Sequence, residues 1–274
     1  GHCAYFDYAR CDKWETECYD CPQMKCYPSC VLFDNSKDNY KNKKQLFTGI
    51  NNMTIVTPSK WLAGLVKKSL LSEYPVRVIN NGIDLESFKP TESNFRELKG
   101  LNEKFIILGV ASVWDERKGF KYFLELSNML AEDEVIILIG LTEKQKDNLP
   151  QNIIGITKTN NVIKLAEIYS AADVFANPTM EDNFPTTNIE ALACGTPVIT
   201  FNTGGSAESI DENSGIVANK GEIEKLFKNI KTIKNIGKVA YSNSCLERAY
   251  RLYNKQKKFN EYIDLYKIID KEVT

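Results

Sequence analysis

A chain of 274 residues is long enough for one large domain or two ordinary ones. Its 43% hydrophobic fraction is that of a folded globular protein, and no apolar run approaches the ~20 residues that a membrane-crossing helix needs. The formal net charge of −1 gives no reason to expect nucleic acid as a partner.

The opening residues stand apart. Cys3, Cys11, Cys18, Cys21, Cys26 and Cys30 crowd into them, and the chain starts at Gly1 without a methionine, which reads as a processed, trimmed or incomplete beginning. Next, "NNMTIVTPSKWLAGLVKKSLL" holds a strand and then a helix with Trp61, Leu62, Leu65 and Val66 on one face. One strand and one helix cannot bury a core of their own. Residues 1–74 therefore read as the tail of a domain whose first half is absent.

From Lys104 the pattern becomes regular. "KFIILGVAS", "EVIILIG", "NIIGIT", "DVFANPT", "PVITF" and "SGIVA" are strand-like apolar runs. Helical segments separate several of them: "GFKYFLELSNMLAED", "VIKLAEIYSAA" and "TNIEALAC". Continuous apolar strands alternating with helices predict an α/β fold, a doubly wound parallel sheet covered on both faces, from about Pro75 to residue 274. Between Lys220 and Lys238, Ile223, Leu226, Phe227, Ile230 and Ile233 mark an amphipathic helix. Its lysines read as a solvated face, with docking to an anionic membrane surface as the lesser reading. The last helix carries Phe259, Tyr262, Ile263, Tyr266 and Ile269 at helical spacing and needs a surface to bury against.

Ligands of open parallel sheets sit beyond the carboxyl ends of the strands, and three stretches converge there. "VWDERKGF" places Arg117 and Lys118 just before a helix, where the helix dipole disfavours cations unless an anion lies between; a solvated surface turn is the plainer account. In "ANPTMEDNFPTTNIEALACGTPVIT" a helix starts at Thr186 or Thr187, and its free N–H groups suit an anion. Thr187 and Glu190 also fit a capping box, which leaves Asp182 unexplained. Gly204-Gly205 in "FNTGGSAES" permits close backbone approach to a ligand, or merely a tight turn. Together these features describe a phosphate clamp, an acid for polyhydroxyl groups and a glycine wall, which suits a nucleotide linked through phosphate to a sugar.

These stretches, with "VRVINNGIDLESFKP", resemble the donor-binding domain of the retaining glycosyltransferases of family 4, which have the GT-B fold. The resemblance implies a Rossmann-like donor domain beside a partial N-terminal acceptor domain. It implies that Asp182 and Glu190, seven residues apart between them, lie in the donor pocket, Glu190 on the ribose and Asp182 near the transferred sugar. Asn183 and Pro185 stand where the family often has glycine. Backbone around Phe184, Thr186 and Thr187 would face the diphosphate, and Gly204 and Gly205 would line the pocket. The family's arginine five or six residues before the lysine is missing, those positions being Val113 and Ser112, so Arg117 is the substitute beside Lys118. The opening "GHCAYFDYARCDKWETECYDCPQ" resembles a cysteine-rich insertion in a subset of these enzymes, many from polysaccharide clusters. There it follows a His-Asp element that would fall upstream of Gly1; His2 belongs to the insertion's own pattern.

Cys18-x2-Cys21 is a spacing that grips zinc, so Cys3, Cys11, Cys18 and Cys21 are the expected structural zinc ligands, with Cys26 and Cys30 as alternates. Disulfides or free thiols are the competing readings. Cys194 and Cys245 read as small core residues. The expected activity is transfer of a hexosyl group from a UDP- or GDP-sugar to a glycan or lipid-linked acceptor, without a catalytic metal. The setting would be bacterial and cytoplasmic, with contact to the inner face of the membrane. A donor-binding fragment unable to catalyse transfer is the second reading, and a zinc-binding interaction module a third. A Rossmann-type dehydrogenase is disfavoured, since "GVASVWDERKG" offers no Gly-x-Gly-x-x-Gly loop.

Overall fold

The computed structural model describes residues 11, 13–15, 18–22, 24, 33–159 and 161–273. The chain divides into two compact units. One runs to Ile79 and takes in the end of the chain from Asp264; the other is Asn80–Ile263.

In the first unit, α1 (Ser36–Phe47), β1 (Ile55–Thr57), α2 (Lys60–Val66) and β2 (Val76–Val78) follow a 3-10 turn at Lys13–Glu15. The α1 helix has no counterpart in the sequence reading, because it buries only Ser36 and Tyr40 and carries no apolar stripe. At α2 the Ser59 hydroxyl accepts from the Leu62 N–H at 3.2 Å, the expected N-cap bond. β1 and β2 pair in parallel with Ile55 opposite Val76, so the strand after Pro75 returns to β1. Cys11, Cys18 and Cys21 are free thiols. Among the described residues no group of three or more His, Cys, Asp or Glu is placed to hold a metal ion. The expectation of zinc on Cys3, Cys11, Cys18 and Cys21 thus finds no support there; Cys3, Cys26, Cys30 and His2 lie outside the described residues.

The second unit is built on a six-stranded parallel sheet. Its strands are β3 (Phe105–Val110), β4 (Glu134–Ile139), β5 (Ile153–Ile156), β6 (Val174–Asn177), β7 (Val198–Phe201) and β8 (Gly215–Ala218), in the order β5-β4-β3-β6-β7-β8. Each apolar run read from the sequence is one of these strands. The central ones are buried throughout, Ile106, Leu108, Ile137, Phe175 and Ile199 being fully inaccessible, while the edge strands β5 and β8 are half-exposed. That gradient explains the unbroken hydrophobic runs, since a strand covered on both faces cannot alternate. Helices α3 (Phe95–Leu98), α4 (Phe120–Ser127), α5 (Glu143–Asp147), α6 (Val162–Ala171) and α7 (Thr186–Ala193) fall between Asn80 and β7. After β8 come α8 (Ile223–Ile236), α9 (Val239–Leu252) and α10 (Lys255–Val273), the last crossing the unit boundary.

At the amino ends of the strands, charges are clamped by the protein itself. Asp173, just before β6, accepts from Arg96 at 2.6 Å and from the Ile106 N–H at 2.7 Å. Glu134, the first residue of β4, has a fully buried side chain held by Lys231 and Lys234 of α8. This corrects the reading of the α8 lysines as simply solvated: Leu226, Ile230 and Ile233 are buried as expected, but Lys231 and Lys234 latch the helix to the sheet. The last helix is also rotated from expectation. Leu265 is buried and Tyr262 and Ile269 half-buried, whereas Phe259, Ile263 and Tyr266 are exposed.

A backbone clasp joins the two ends of the second unit. The Ile83 N–H donates to the Tyr253 carbonyl at 2.8 Å and the Lys255 N–H to the Ile83 carbonyl at 3.0 Å. Gly82 lies so close that a Cβ would come within 2.7 Å of the Lys255 Cα.

Candidate functional site

In the order β5-β4-β3-β6-β7-β8, connections run one way from β3 and the other way from β6, so the switch point lies between those two strands. The crevice beyond their carboxyl ends is where such sheets bind ligands. Two loops meet there. The β3–α4 loop carries Arg117 and Lys118, and the β6–α7 loop carries Asp182 and Asn183. The Met180 N–H donates to the Arg117 carbonyl at 2.7 Å, tying the loops together. Gly119 makes the approach possible: its φ is +79°, and a Cβ there would lie 2.1 Å from the Pro178 carbonyl oxygen.

The Lys118 ammonium reaches Asp182 Oδ2 at 2.6 Å, with the two side chains 22% and 14% exposed. Two groups assigned to different parts of a donor thus hold each other across 64 residues of sequence. Asp182 Oδ1 also accepts from the Phe184 N–H at 3.2 Å. Arg117 is not drawn into this pair; its Nε lies 3.8 Å from Asp115 on its own loop. Val113, at one position of the missing family arginine, is exposed.

The α7 helix starts at Thr186, and its N-cap is Pro185, which has no side-chain acceptor to offer. The capping box is therefore corrected: Thr187 is the second helical residue and Glu190 the fifth, so neither holds the position the box requires. The first N–H groups of α7 are left for something else. Glu190 instead accepts a 3.0 Å bond from the Tyr169 hydroxyl of α6. Burial pushes the Glu190 carboxyl above its ordinary pKa, opposed by its bonds to Tyr169 and Thr186. Burial likewise raises Tyr169 well above the usual phenol range, with the Glu190 charge adding to it, so the phenol stays a donor.

Gly204 closes the site from the end of β7. Its φ is +54° and a Cβ would fall 1.9 Å from the Asp182 carbonyl oxygen, while the Gly205 N–H donates to that same oxygen at 3.0 Å. The side chain of Phe184 is buried, edge-on to the Tyr253 ring at 5.7 Å, so only its backbone lies at the loop. Asn183 and Thr186 are exposed and Thr187 is half-exposed.

Several contributors escaped the sequence reading. Asn81 donates to the Phe184 carbonyl at 3.1 Å and steadies the loop. Beneath it, Asn177 donates to Asn188 at 2.7 Å and Asn188 to Ser209 at 2.8 Å, while the Thr200 and Ser206 hydroxyls lie 2.7 Å apart. These five side chains are buried. The available signal was polarity inside apolar runs: Asn177 and Thr200 interrupt β6 and β7 at their carboxyl ends.

The parallel α/β fold of the chain is shared with solved GT-B glycosyltransferases. Sucrose-phosphate synthase from Thermosynechococcus elongatus matches at a TM-score of 0.75 and 20% identity, covering 93% of this chain and 67% of the other. HepE from Anabaena, in complex with UDP-glucose, matches at 0.71 and 17% identity over 84% of this chain and 67% of the other. Residues 104–235 match the family model described as glycosyl transferases group 1. Among curated relatives, an Escherichia coli UDP-Gal:alpha-D-GlcNAc-diphosphoundecaprenol galactosyltransferase is 25% identical, over 73% of this chain and 56% of its own length. The Staphylococcus aureus capsular polysaccharide glycosyltransferase CapM is 24% identical, over 62% and 49%. The chain spans about half the length of these two curated relatives (56% and 49%).

Proposed function

We propose that the chain is the donor-binding part of a retaining glycosyltransferase that moves a hexosyl group from a nucleotide-diphosphate sugar to a glycan or lipid-linked acceptor in surface polysaccharide synthesis. The observation that carries this reading is the convergence of Lys118, Asp182 and the uncapped start of α7 in the switch-point crevice. In this reading, the unit Asn80–Ile263 binds the donor and the unit that runs to Ile79 and resumes at Asp264 belongs to the acceptor side. The printed names of relatives support the substrate classes: one uses UDP-galactose and a diphosphoundecaprenol-linked acceptor, and HepE binds UDP-glucose. A lipid-linked acceptor would bring the protein to the cytoplasmic face of a membrane.

The chemistry follows from an exchange of partners. A diphosphate entering the crevice meets the free N–H groups of Thr186 and Thr187 and the Lys118 ammonium, which leaves Asp182 for the phosphate oxygens. Asp182, freed of its cation, accepts from hydroxyls of the sugar. Glu190, fixed by Tyr169, accepts from the ribose hydroxyls, and Gly204–Gly205 let the donor approach the backbone. As the glycosidic bond breaks, negative charge grows on the leaving diphosphate where Lys118 and the helix start stand ready, which is electrostatic stabilisation without reorganisation. Arg117 supplies long-range positive potential.

Titration calorimetry with UDP- and GDP-sugars, paired with a transfer assay, tests this. Binding with turnover supports the enzyme, and binding without turnover supports a donor-binding piece that needs more chain for transfer. Failure to bind any nucleotide sugar overturns both.

A further inference from the structure

Five polar side chains are buried together around the carboxyl ends of β6 and β7: Asn177, Asn188, Thr200, Ser206 and Ser209, none more than 8% exposed. Asn188 is their hub. Its Oδ1 accepts from Asn177 Nδ2 at 2.7 Å. Its own Nδ2 donates to Ser209 Oγ at 2.8 Å and reaches the Ser206 Oγ and carbonyl at 3.4 Å. Thr200 Oγ1 donates to the Asn177 carbonyl at 3.0 Å and lies 2.7 Å from Ser206 Oγ, while Ser209 Oγ donates to the Ser206 carbonyl at 2.6 Å. No buried nitrogen or oxygen of these five side chains lacks a partner.

The Asn188 amide thereby joins two segments that border the crevice. It is the third residue of α7, in one turn with Thr186 and Thr187, whose N–H groups no side-chain cap takes up. Ser206 directly follows Gly205, and Ser209 ends the 3-10 turn Ala207–Ser209 behind it. Apolar side chains of similar shape would hold these segments together with comparable stability, because a buried hydrogen bond adds little once desolvation is counted. They would not fix the same geometry. Apolar contacts tolerate small slides and rotations, whereas hydrogen bonds weaken steeply with length and angle, and a fully satisfied network rigidifies what it joins.

We infer that Asn188 is a positioning residue of the donor site. Its side chain is inaccessible and touches no ligand, but it sets the first turn of α7 and the Gly204–Gly205 wall at the spacing and angle between which the donor is received. The inference rests on the reading of this crevice as a nucleotide-sugar site.

Two variants separate position from stability. Asn188→Val strands the buried Asn177 Nδ2, and the melting temperature should fall. In Asn177→Val combined with Asn188→Val no amide is left to strand, and Thr200, Ser206 and Ser209 keep their remaining partners. The melting temperature should then return most of the way to that of the unsubstituted chain. Affinity for UDP or GDP is read by titration calorimetry at a temperature where all three proteins are folded. It should stay about tenfold weaker in both variants, the size of effect that coupled network residues reach. Amide hydrogen exchange in the ligand-free chain adds an arm that does not depend on the nucleotide. Peptides covering 183–190 and 203–209 should exchange faster in both variants, while those covering β3 and β4 keep their rates. A double variant that recovers affinity along with its melt overturns the inference, as does unchanged exchange in the two segments. Failure of the unsubstituted chain to bind either nucleotide instead overturns the nucleotide-sugar reading, and the exchange arm still decides whether Asn188 holds the two segments.

Discussion

The two ends of the parallel sheet treat charge differently. At the amino ends, Asp173 and Glu134 are met by cations and by backbone N–H groups, and both acids are committed to the fold. At the carboxyl ends, Lys118 and Asp182 also pair, but on two loops beside a helix start that nothing caps. A clamp built for stability surrounds its charges with the chain's own partners. The other end places a paired cation and uncapped helix donors in a crevice, which in the proposed reading is where the donor's diphosphate enters.

Substitutions at each end test that contrast. The largest loss of stability is expected from Glu134→Ala, which removes the buried carboxylate that Lys231 and Lys234 hold at the amino end of the sheet and leaves Lys234 with Asp133 alone. Removing one partner of a buried pair costs about 3–5 kcal/mol, so thermal or urea melts should shift strongly while the folded fraction keeps its donor affinity. Gly204→Ala puts a Cβ against the Asp182 carbonyl at a positive φ, with a cost of about 2 kcal/mol. Its melt should fall together with donor binding, because the strain lies in the site loop.

Tyr169→Phe leaves a buried Glu190 oxygen without its donor, at about 1–3 kcal/mol. If Tyr169 positions Glu190, KM for the donor rises more than kcat falls; a purely structural role would move the melt alone. Lys118→Ala should weaken nucleotide-sugar affinity about tenfold, or 1.4 kcal/mol, with a smaller change in melting than Glu134→Ala. Equal donor affinity in titration calorimetry would remove Lys118 from the site.

The smallest effect concerns pH. Glu190 has a raised pKa in the folded chain, so between the ordinary glutamate value and the raised one the folded state holds more proton than the unfolded state. Its contribution to stability is therefore lost as pH rises through that window. Glu190→Gln should flatten that part of the stability–pH curve and still weaken donor binding. Unchanged donor affinity would leave Glu190 with a packing role only.

The sheet was legible because its strands are buried on both faces and must read as unbroken apolar runs. Helix α9 showed only at Cys245, read as a small core residue, since its buried positions Tyr241, Cys245 and Ala249 are too small and mixed to make a stripe. Helix α10 misled because Phe259, Ile263 and Tyr266 share the helical spacing of the face that carries Tyr262, Leu265 and Ile269, and spacing alone cannot set the phase. At the site, residue types and local spacing pointed to Lys118, Asp182 and the start of α7. Their pairing was invisible, since it depends on Gly119 letting two distant loops touch. Tyr169 hid in an apolar helix, where an aromatic needs no other explanation until its hydroxyl is found against Glu190.

The clasp at Ile83 and Tyr253–Lys255 has one more consequence. It makes residues 84–253 a loop whose two ends are already stitched together by main-chain bonds. Topologically, the second unit is a cassette threaded through a single joint, the form in which domains tolerate being inserted into other proteins or circularly permuted. New termini opened at 157–159, with a short covalent linker joining the chain across this stitch, should keep the sheet's strand order and the Lys118–Asp182 pair.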